Sequence, residues 1–219
     1  MHRRQLILVG LATAFAPHGA LAQSTMRIWG LWANNPNANS NGLNQLKGTL
    51  NFRVNSDTSD RTLRVYGSGP GPDSPRQCVE LIKRYAGKLR FSGYTAALGE
   101  ADNGNSLPSL GHGYQAANRF ASASGGGFIY VANGAAAPPK PGAVISIVQF
   151  IPGGHVGIIC NHDASDAADG TVGIKIVEQN MPINSWKEIN FTRRSGRWYG
   201  TMRNNGVDHD VVGWANPTG

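Results

Sequence analysis

The sequence has few cysteines, no internal repeat and, beyond its first residues, no long apolar run. Its two cysteines, Cys78 and Cys160, can form one internal disulfide at most. No later apolar run approaches the roughly 20 residues of a membrane-spanning helix, so we expect no membrane span. The HExxH and histidine-x-histidine spacings are also absent, which disfavours a metal site built on His155, His162 and Asp163. We therefore expect neither a metal nor a cofactor.

The N-terminus has the layout of a secretory signal peptide. Arg3 and Arg4 precede an apolar run over residues 6–16, and a small-x-small site follows at residues 20–22. We therefore assign residues 1–22 to a signal peptide and expect an exported protein, periplasmic or extracellular. The Sec pathway suffices for export, and the paired arginines also permit the twin-arginine (Tat) route.

Basic residues outnumber acidic ones after the signal peptide. Removing Arg3 and Arg4 leaves 18 Lys and Arg against 13 Asp and Glu, so the net charge falls from +7 to +5. This excess suits an anionic polymer as a partner, but it equally suits an ordinary basic surface. Nucleic-acid binding is a poor fit, because the basic residues cluster only at Arg193, Arg194 and Arg197.

Length and composition predict one domain. About 200 residues remain after the signal peptide, which is enough for one hydrophobic core. The 29 glycines and the low content of helix-forming residues favour a loop-rich α+β or mostly β fold. Residues 23–48 are rich in Asn, Ser, Pro and Gly and predict a lead or linker, which places the domain at residues 49–219.

Alternating apolar and polar residues predict short strands on both sides of one well-marked helix. A second, short helix is expected around residues 114–121. The predicted strands are TLNFRVN (49–55), TLRVYG (62–67), AVISIVQF (143–150), HVGIICN (155–161), TVGIKIVEQN (171–180), SWKEINF (185–191) and RWYGTM (197–202).

The well-marked helix carries one of the two cysteines in its first turn. Ser74 and Gln77 form a capping box, and Pro75 stands at the first helical position, where its missing N–H does no harm. Cys78 therefore lies near the start of the helix, and Gly87 is the expected stop. The helical period places Leu81, Ile82 and Tyr85 on the same apolar face as Cys78.

A thiol in the first turn of a helix is a candidate nucleophile. The helix dipole and the unpaired backbone N–H groups there favour thiolate over thiol at Cys78. A cysteine hydrolase also needs a histidine to move the proton and a third group to orient the histidine. His155 is the best histidine, because it opens a predicted strand directly after Gly153 and Gly154, where small residues allow a close approach.

Strand alternation bears on the disulfide. It places His155 and Cys160 on opposite faces of their strand, so only one of them can face the helix that carries Cys78. We therefore expect both cysteines to be free and Cys160 to be a buried thiol.

The next predicted strand offers the third group. Glu178 and Asn180 lie on one face at the end of an apolar run, where polar side chains need partners. Either could accept the imidazole N–H and fix the tautomer of His155. The alternative is that this segment simply ends a strand in solvent.

In order along the chain, the segments RQCVELIKRYAG, KPGAVISI, GGHVGIIC, VEQN and VVGWANP resemble the CHAP family, the cysteine, histidine-dependent amidohydrolases and peptidases. The resemblance covers the chain from about Tyr66 to the C-terminus. It implies a papain-like α+β fold, in which an N-terminal helix carrying the cysteine packs against an antiparallel β-sheet. It also implies hydrolysis of an amide bond through a thioester.

The resemblance assigns roles residue by residue. Cys78 matches the nucleophile, His155 the general base and acid, and Glu178 with Asn180 the orienting pair. Peptidoglycan is the substrate that it implies, cut at the bond between N-acetylmuramic acid and L-alanine or within the stem peptide or cross-bridge.

Further residues are expected around this site, and other functions remain open. The backbone N–H of Cys78 and the side chain of Gln77 are candidate oxyanion donors. Tyr66, His112 and Trp186 are candidates for the substrate groove, although each is more often a packing residue. A noncatalytic wall-binding or glycan-binding module and a glutathionylspermidine-type amidase are the alternative functions. We expect a monomer.

Overall fold

The computed structural model describes residues 26–34, 46–66, 78–89, 112–148, 153–160, 169–179, 186–204 and 206–219. These residues form ten strands and two helices. The strands are β1 (Ile28–Asn34), β2 (Leu46–Val54), β3 (Arg61–Tyr66), β4 (Phe128–Ala132), β5 (Val144–Ile147), β6 (His155–Ile159), β7 (Gly170–Glu178), β8 (Trp186–Arg194), β9 (Arg197–Asn204) and β10 (Val207–Pro217), and the helices are α1 (Cys78–Leu89) and α2 (Gly113–Ala123).

Six strands close into an antiparallel barrel. Their order is β10-β5-β6-β7-β8-β9, and β9 pairs again with β10 to close the ring. β10 is long enough for both contacts, because residues 207–210 pair with β9 and residues 211–215 pair with β5. The end of β10 also pairs with β4, and β1, β2 and β3 form a separate three-stranded sheet.

The α+β papain-like fold expected from the family resemblance is therefore wrong. The part of the chain that the structure describes is mostly β and contains only two helices. Composition alone had also allowed a mostly β fold. The ring also requires β10 to pair with β5. The paired residues of these two strands lie 64 to 71 positions apart in the chain, and such a distant partner leaves no local mark in the sequence.

Two hydrophobic clusters hold the fold together. One is contributed by all six barrel strands and includes Phe191 and Trp214, whose rings meet edge to face with centroids 5.4 Å apart. The other is formed by the two helices, the three-stranded sheet and the outer face of β5 and β6, and α1 contacts both β3 and β6. At its centre Tyr85 packs edge to face on Phe52 and donates a hydrogen bond to the carbonyl of Gly142, 2.9 Å away.

The predicted elements agree with the structure except at their boundaries. All seven predicted strands are present in whole or in part, and the short second helix is confirmed as α2. The first helix runs past Gly87 to Leu89, because Leu89 is buried and its packing offsets the low helix propensity of the glycine. The cap residues Ser74, Pro75 and Gln77 lie outside the described residues. Within the expected lead, residues 28–34 form β1, which pairs with β2.

Candidate functional site

Cys78 is the first described residue of α1. The helix packs against β6, β3 and α2, and its inner face buries the residues that the helical period predicted. The cysteine itself is 9% exposed and has no disulfide partner. Packing of this inner face therefore fixes the sulfur of Cys78 at the first described turn of α1. This turn lies beside the start of β6.

Two glycines bring the start of α2 against the start of β6. A Cβ at Gly113 would lie 2.8 Å from the backbone of His155, and a Cβ at Gly154 would lie 2.8 Å from the backbone N of Tyr114. Gly154 also has a φ of +62°, a backbone conformation that residues other than glycine rarely adopt. The expectation that small residues before His155 allow a close approach is confirmed, and the approaching group is a helix.

His155 and Glu178 form a buried hydrogen-bonded pair. Nε2 of His155 lies 2.7 Å from Oε2 of Glu178, and the two side chains are 3% and 0% exposed. The strands set this distance, because Glu178 is the last residue of β7 and pairs with Gly157, two residues after the histidine. A side chain at Gly157 would meet the carbonyl of Val177 at 2.9 Å, so the glycine also allows the close approach of β7.

The His155 ring also lies beside the thiol of Cys78, close enough for the two groups to interact. Because the carboxylate of Glu178 engages Nε2, the ring nitrogen that remains available for a second partner is Nδ1. Burial by itself lowers the pKa of His155. The negative charge of Glu178 and the contact with Cys78 outweigh burial and raise that pKa well above its usual value of 6.5. The geometry therefore stabilises an imidazolium beside the sulfur.

Cys160 is free and buried, as expected, but the alternation argument for it is wrong. With Val156 and Ile158 it belongs to the same hydrophobic cluster as Cys78. His155 and Glu178 instead share the strand face of Ile159 and Ile176, which fills the barrel. Because β6 begins at His155 and β7 ends at Glu178, the two side chains lie at one end of the barrel. The start of α1 reaches that end, so the thiol meets His155 there rather than on the outer face.

The environment of Cys160 makes it a poor nucleophile. Burial raises the pKa of its thiol to about 12, even though the charge of Lys175 acts in the opposite direction. Its sulfur lies 3.5 Å from the backbone carbonyl of Lys175, which accepts a hydrogen bond from the thiol. Among the residues that the structure describes, Cys78 is the cysteine that interacts with a histidine.

Five further residues were predicted for the site, and the structure describes three of them. Gln77 and Asn180 lie outside the described residues. Trp186 opens β8, and its backbone pairs with Val177, next to Glu178. The remaining two predicted residues are Tyr66 and His112.

Tyr66 and His112 both approach residues of the site. The backbone N–H of Tyr66 donates to Oε1 of Gln179, 3.3 Å away, next in sequence to Glu178. His112 is exposed at the start of α2, and its ring stacks on Tyr114 with centroids 5.7 Å apart. A Cβ at Gly153 would lie 3.6 Å from Nδ1 of His112, so this ring lies at the rim of the site.

The sequence reasoning missed two features of the site. Gln179 is completely buried and hydrogen-bonded, although it stands in the same EQN segment as the predicted residues. Gly113 contacts His155, but its sequence position before a short helix gives no sign of that contact. Strand alternation could have identified Gln179, since it must face opposite to Glu178 and towards α1.

The described residues include no group of three or more His, Cys, Asp or Glu side chains that could hold a metal ion. Of the helices described, neither is long and apolar enough to cross a membrane. A search of family models finds none that matches this sequence, and no curated protein matches it either.

Proposed function

We propose that the protein is a cysteine amidohydrolase or peptidase in which Cys78 is the nucleophile. The observation that carries the proposal is the buried His155, which contacts the Cys78 thiol and lies 2.7 Å from the Glu178 carboxylate. A nucleophile, a base in contact with it and an acceptor that orients the base are the three parts that this chemistry requires.

Each residue has one role in the reaction. The Cys78 thiolate attacks the carbonyl carbon of the amide, and the His155 imidazolium gives its proton to the leaving nitrogen as the C–N bond breaks. The product amine leaves, and the acyl group stays on sulfur as a thioester. His155 then takes a proton from a water molecule, which attacks the thioester and releases the acid. Glu178 holds the ring and stabilises its positive charge in both steps.

Peptidoglycan is the substrate class that we propose. The signal-peptide layout favours an exported enzyme, in the periplasm or outside the cell, and the positive charge of the remaining chain suits an anionic wall polymer. The resemblance to CHAP proteins favours the same substrate. It rests on the order of the motifs alone, because the fold that it implied is not found. The bond cut is the N-acetylmuramoyl-L-alanine amide or a peptide bond of the stem or cross-bridge.

Digestion of purified peptidoglycan tests the proposal. The mature protein should release soluble fragments, and mass spectrometry of their new termini identifies the bond. Cys78→Ser should release none, whereas Cys160→Ser, the matched change at the other buried cysteine, should act like the wild type. Lysis by Cys78→Ser would refute the nucleophile. Binding to insoluble wall without release by the wild-type protein would instead indicate a noncatalytic binding module.

A further inference from the structure

A buried glutamine stands at the end of the strand that carries Glu178. Gln179 is completely buried, and β7 ends one residue before it, where the hydrogen-bonded ladder with β6 also stops. Because side chains alternate along an extended chain, Gln179 faces away from the side on which Glu178 meets His155. Its amide must therefore find its partners among other elements.

Those partners lie on α1 and β3. Oε1 of Gln179 accepts a hydrogen bond from Nη2 of Arg84, 2.5 Å away, and a second from the backbone N–H of Tyr66 at 3.3 Å. The other guanidinium nitrogen of Arg84, Nη1, donates to the backbone carbonyl of Arg64 at 2.6 Å. The guanidinium also lies over the ring of Tyr66, 5.4 Å from its centroid.

We propose that Gln179 and Arg84 are positioning residues, which fix the carboxylate of Glu178 relative to the helix that carries Cys78. This inference rests on the proposed function, because it assigns the pair a role in that reaction. Arg84 stands six residues after Cys78 on the same helix, so one rigid element carries both the nucleophile and the donor to Gln179.

The position of the pair explains why it matters for the site. The last backbone pairing of β7 with β6 is at Glu178 itself, so no described ladder pairing with β6 holds the chain beyond that residue. The hydrogen bonds of Gln179 replace the ladder at this point. A loosened strand end would lengthen the contact between Glu178 and His155, and a misplacement of about 1 Å is enough to slow a reaction by roughly a hundredfold.

The test is a variant that keeps the shape of Gln179 and removes its hydrogen bonds. Gln179→Met should lower the pKa of the His155 ring, followed by NMR titration, by about one unit, because the ring loses part of its contact with Glu178. It should also lower kcat on peptidoglycan fragments roughly tenfold or more with KM nearly unchanged. Arg84→Met should give both effects, and Arg84→Lys, which keeps a donor, should restore part of each.

Ser124→Ala is the matched control for a buried hydrogen bond lost elsewhere. Ser124 is buried at the far end of α2, about 15 Å from its start, and its hydroxyl bonds with the carbonyl of Ala121 and the N–H of Phe128. This variant should lose stability but leave the His155 titration and kcat unchanged. A role in stability alone would make Gln179→Met behave in the same way, and that result would overturn the inference.

The two proposals fail separately. If the wild-type protein hydrolyses nothing, the proposed function fails, and the His155 titration of Gln179→Met still decides whether the glutamine positions Glu178. If the wild type is active and both Gln179→Met and Arg84→Met titrate and react like it, the positioning role fails while the function stands. Arg84 is only partly buried, so its variants remain informative if Gln179→Met does not fold.

Discussion

Nε2 of His155 lies 2.7 Å from Oε2 of Glu178, and both side chains are buried at the end of a closed barrel. Two neighbouring antiparallel strands set this contact, and a helix from an earlier part of the chain adds the thiol of Cys78. The chemistry of the site thus depends on three elements that meet at one end of the barrel.

Replacement of the carboxylate should damage catalysis more than folding. Glu178→Gln keeps the size of the side chain but removes the negative charge and can present the wrong group to Nε2. We expect kcat to fall by roughly 10²- to 10⁴-fold, as when the acid of a catalytic triad becomes an amide. The far-UV circular dichroism should not change. A kcat within about twofold of the wild type would show that Glu178 does not orient His155.

The pH dependence of stability should reveal the raised pKa of His155. Because the folded state holds this proton more tightly than the unfolded chain, its contribution to the free energy of unfolding is complete below the usual pKa of 6.5. It is lost as the pH rises through the folded value of about 10. Glu178→Gln removes the main cause of the raised value.

Urea unfolding between about pH 6 and pH 10.5 checks this prediction. The difference in unfolding free energy between the wild type and Glu178→Gln should be largest at the acid end of this range. It should shrink as the pH approaches the alkaline end. A difference that does not change with pH would mean that the proton on His155 is not bound more tightly in the folded state.

The contact between Gly113, at the start of α2, and His155 should be sensitive to one added methyl group. Gly113→Ala places a Cβ 2.8 Å from three backbone atoms of His155, which cannot move aside as a side chain could. We expect a loss of about 1–3 kcal/mol in the free energy of unfolding together with reduced activity. Thermal or urea unfolding and an activity assay measure the two effects.

Gly153→Ala is the matched control for this contact. The nearest atom to its new Cβ would be Nδ1 of His112 at 3.6 Å, an ordinary van der Waals distance. Its stability should stay within about 0.5 kcal/mol of the wild type. Equal behaviour of the two alanine variants would contradict the close packing of α2 on His155.

Local patterns in the sequence identified the three central residues because each stands at an element boundary. The capping pattern placed Cys78 at a helix start, the glycine pair placed His155 at a strand start, and the polar EQN segment placed Glu178 at a strand end. The structure agrees with the positions of His155 and Glu178, and Cys78 is the first described residue of α1. Such signals depend only on near neighbours along the chain, so they survive without knowledge of the fold.

The arrangement of the elements could not be predicted in the same way. Closure of the barrel requires β10 to pair with β5 on one side and β9 on the other, and nothing in the local sequence specifies a partner so distant. The expectation that only one of His155 and Cys160 could meet the helix that carries Cys78 was wrong for a related reason. Strand alternation says which residues share a face, but only the assembled fold shows what each face meets.

Alkylation of the two cysteines, mapped by mass spectrometry of peptides, tests the central claim most directly. With iodoacetamide near pH 7, Cys78 should react at least about tenfold faster than Cys160, because the His155 imidazolium stabilises the thiolate of Cys78 and burial disfavours that of Cys160. His155→Ala should remove this advantage, and hydrolysis of peptidoglycan should be lost with it. Equal reaction of both cysteines in the wild type, or an unchanged rate at Cys78 in His155→Ala, would contradict the assignment of Cys78 as an activated nucleophile.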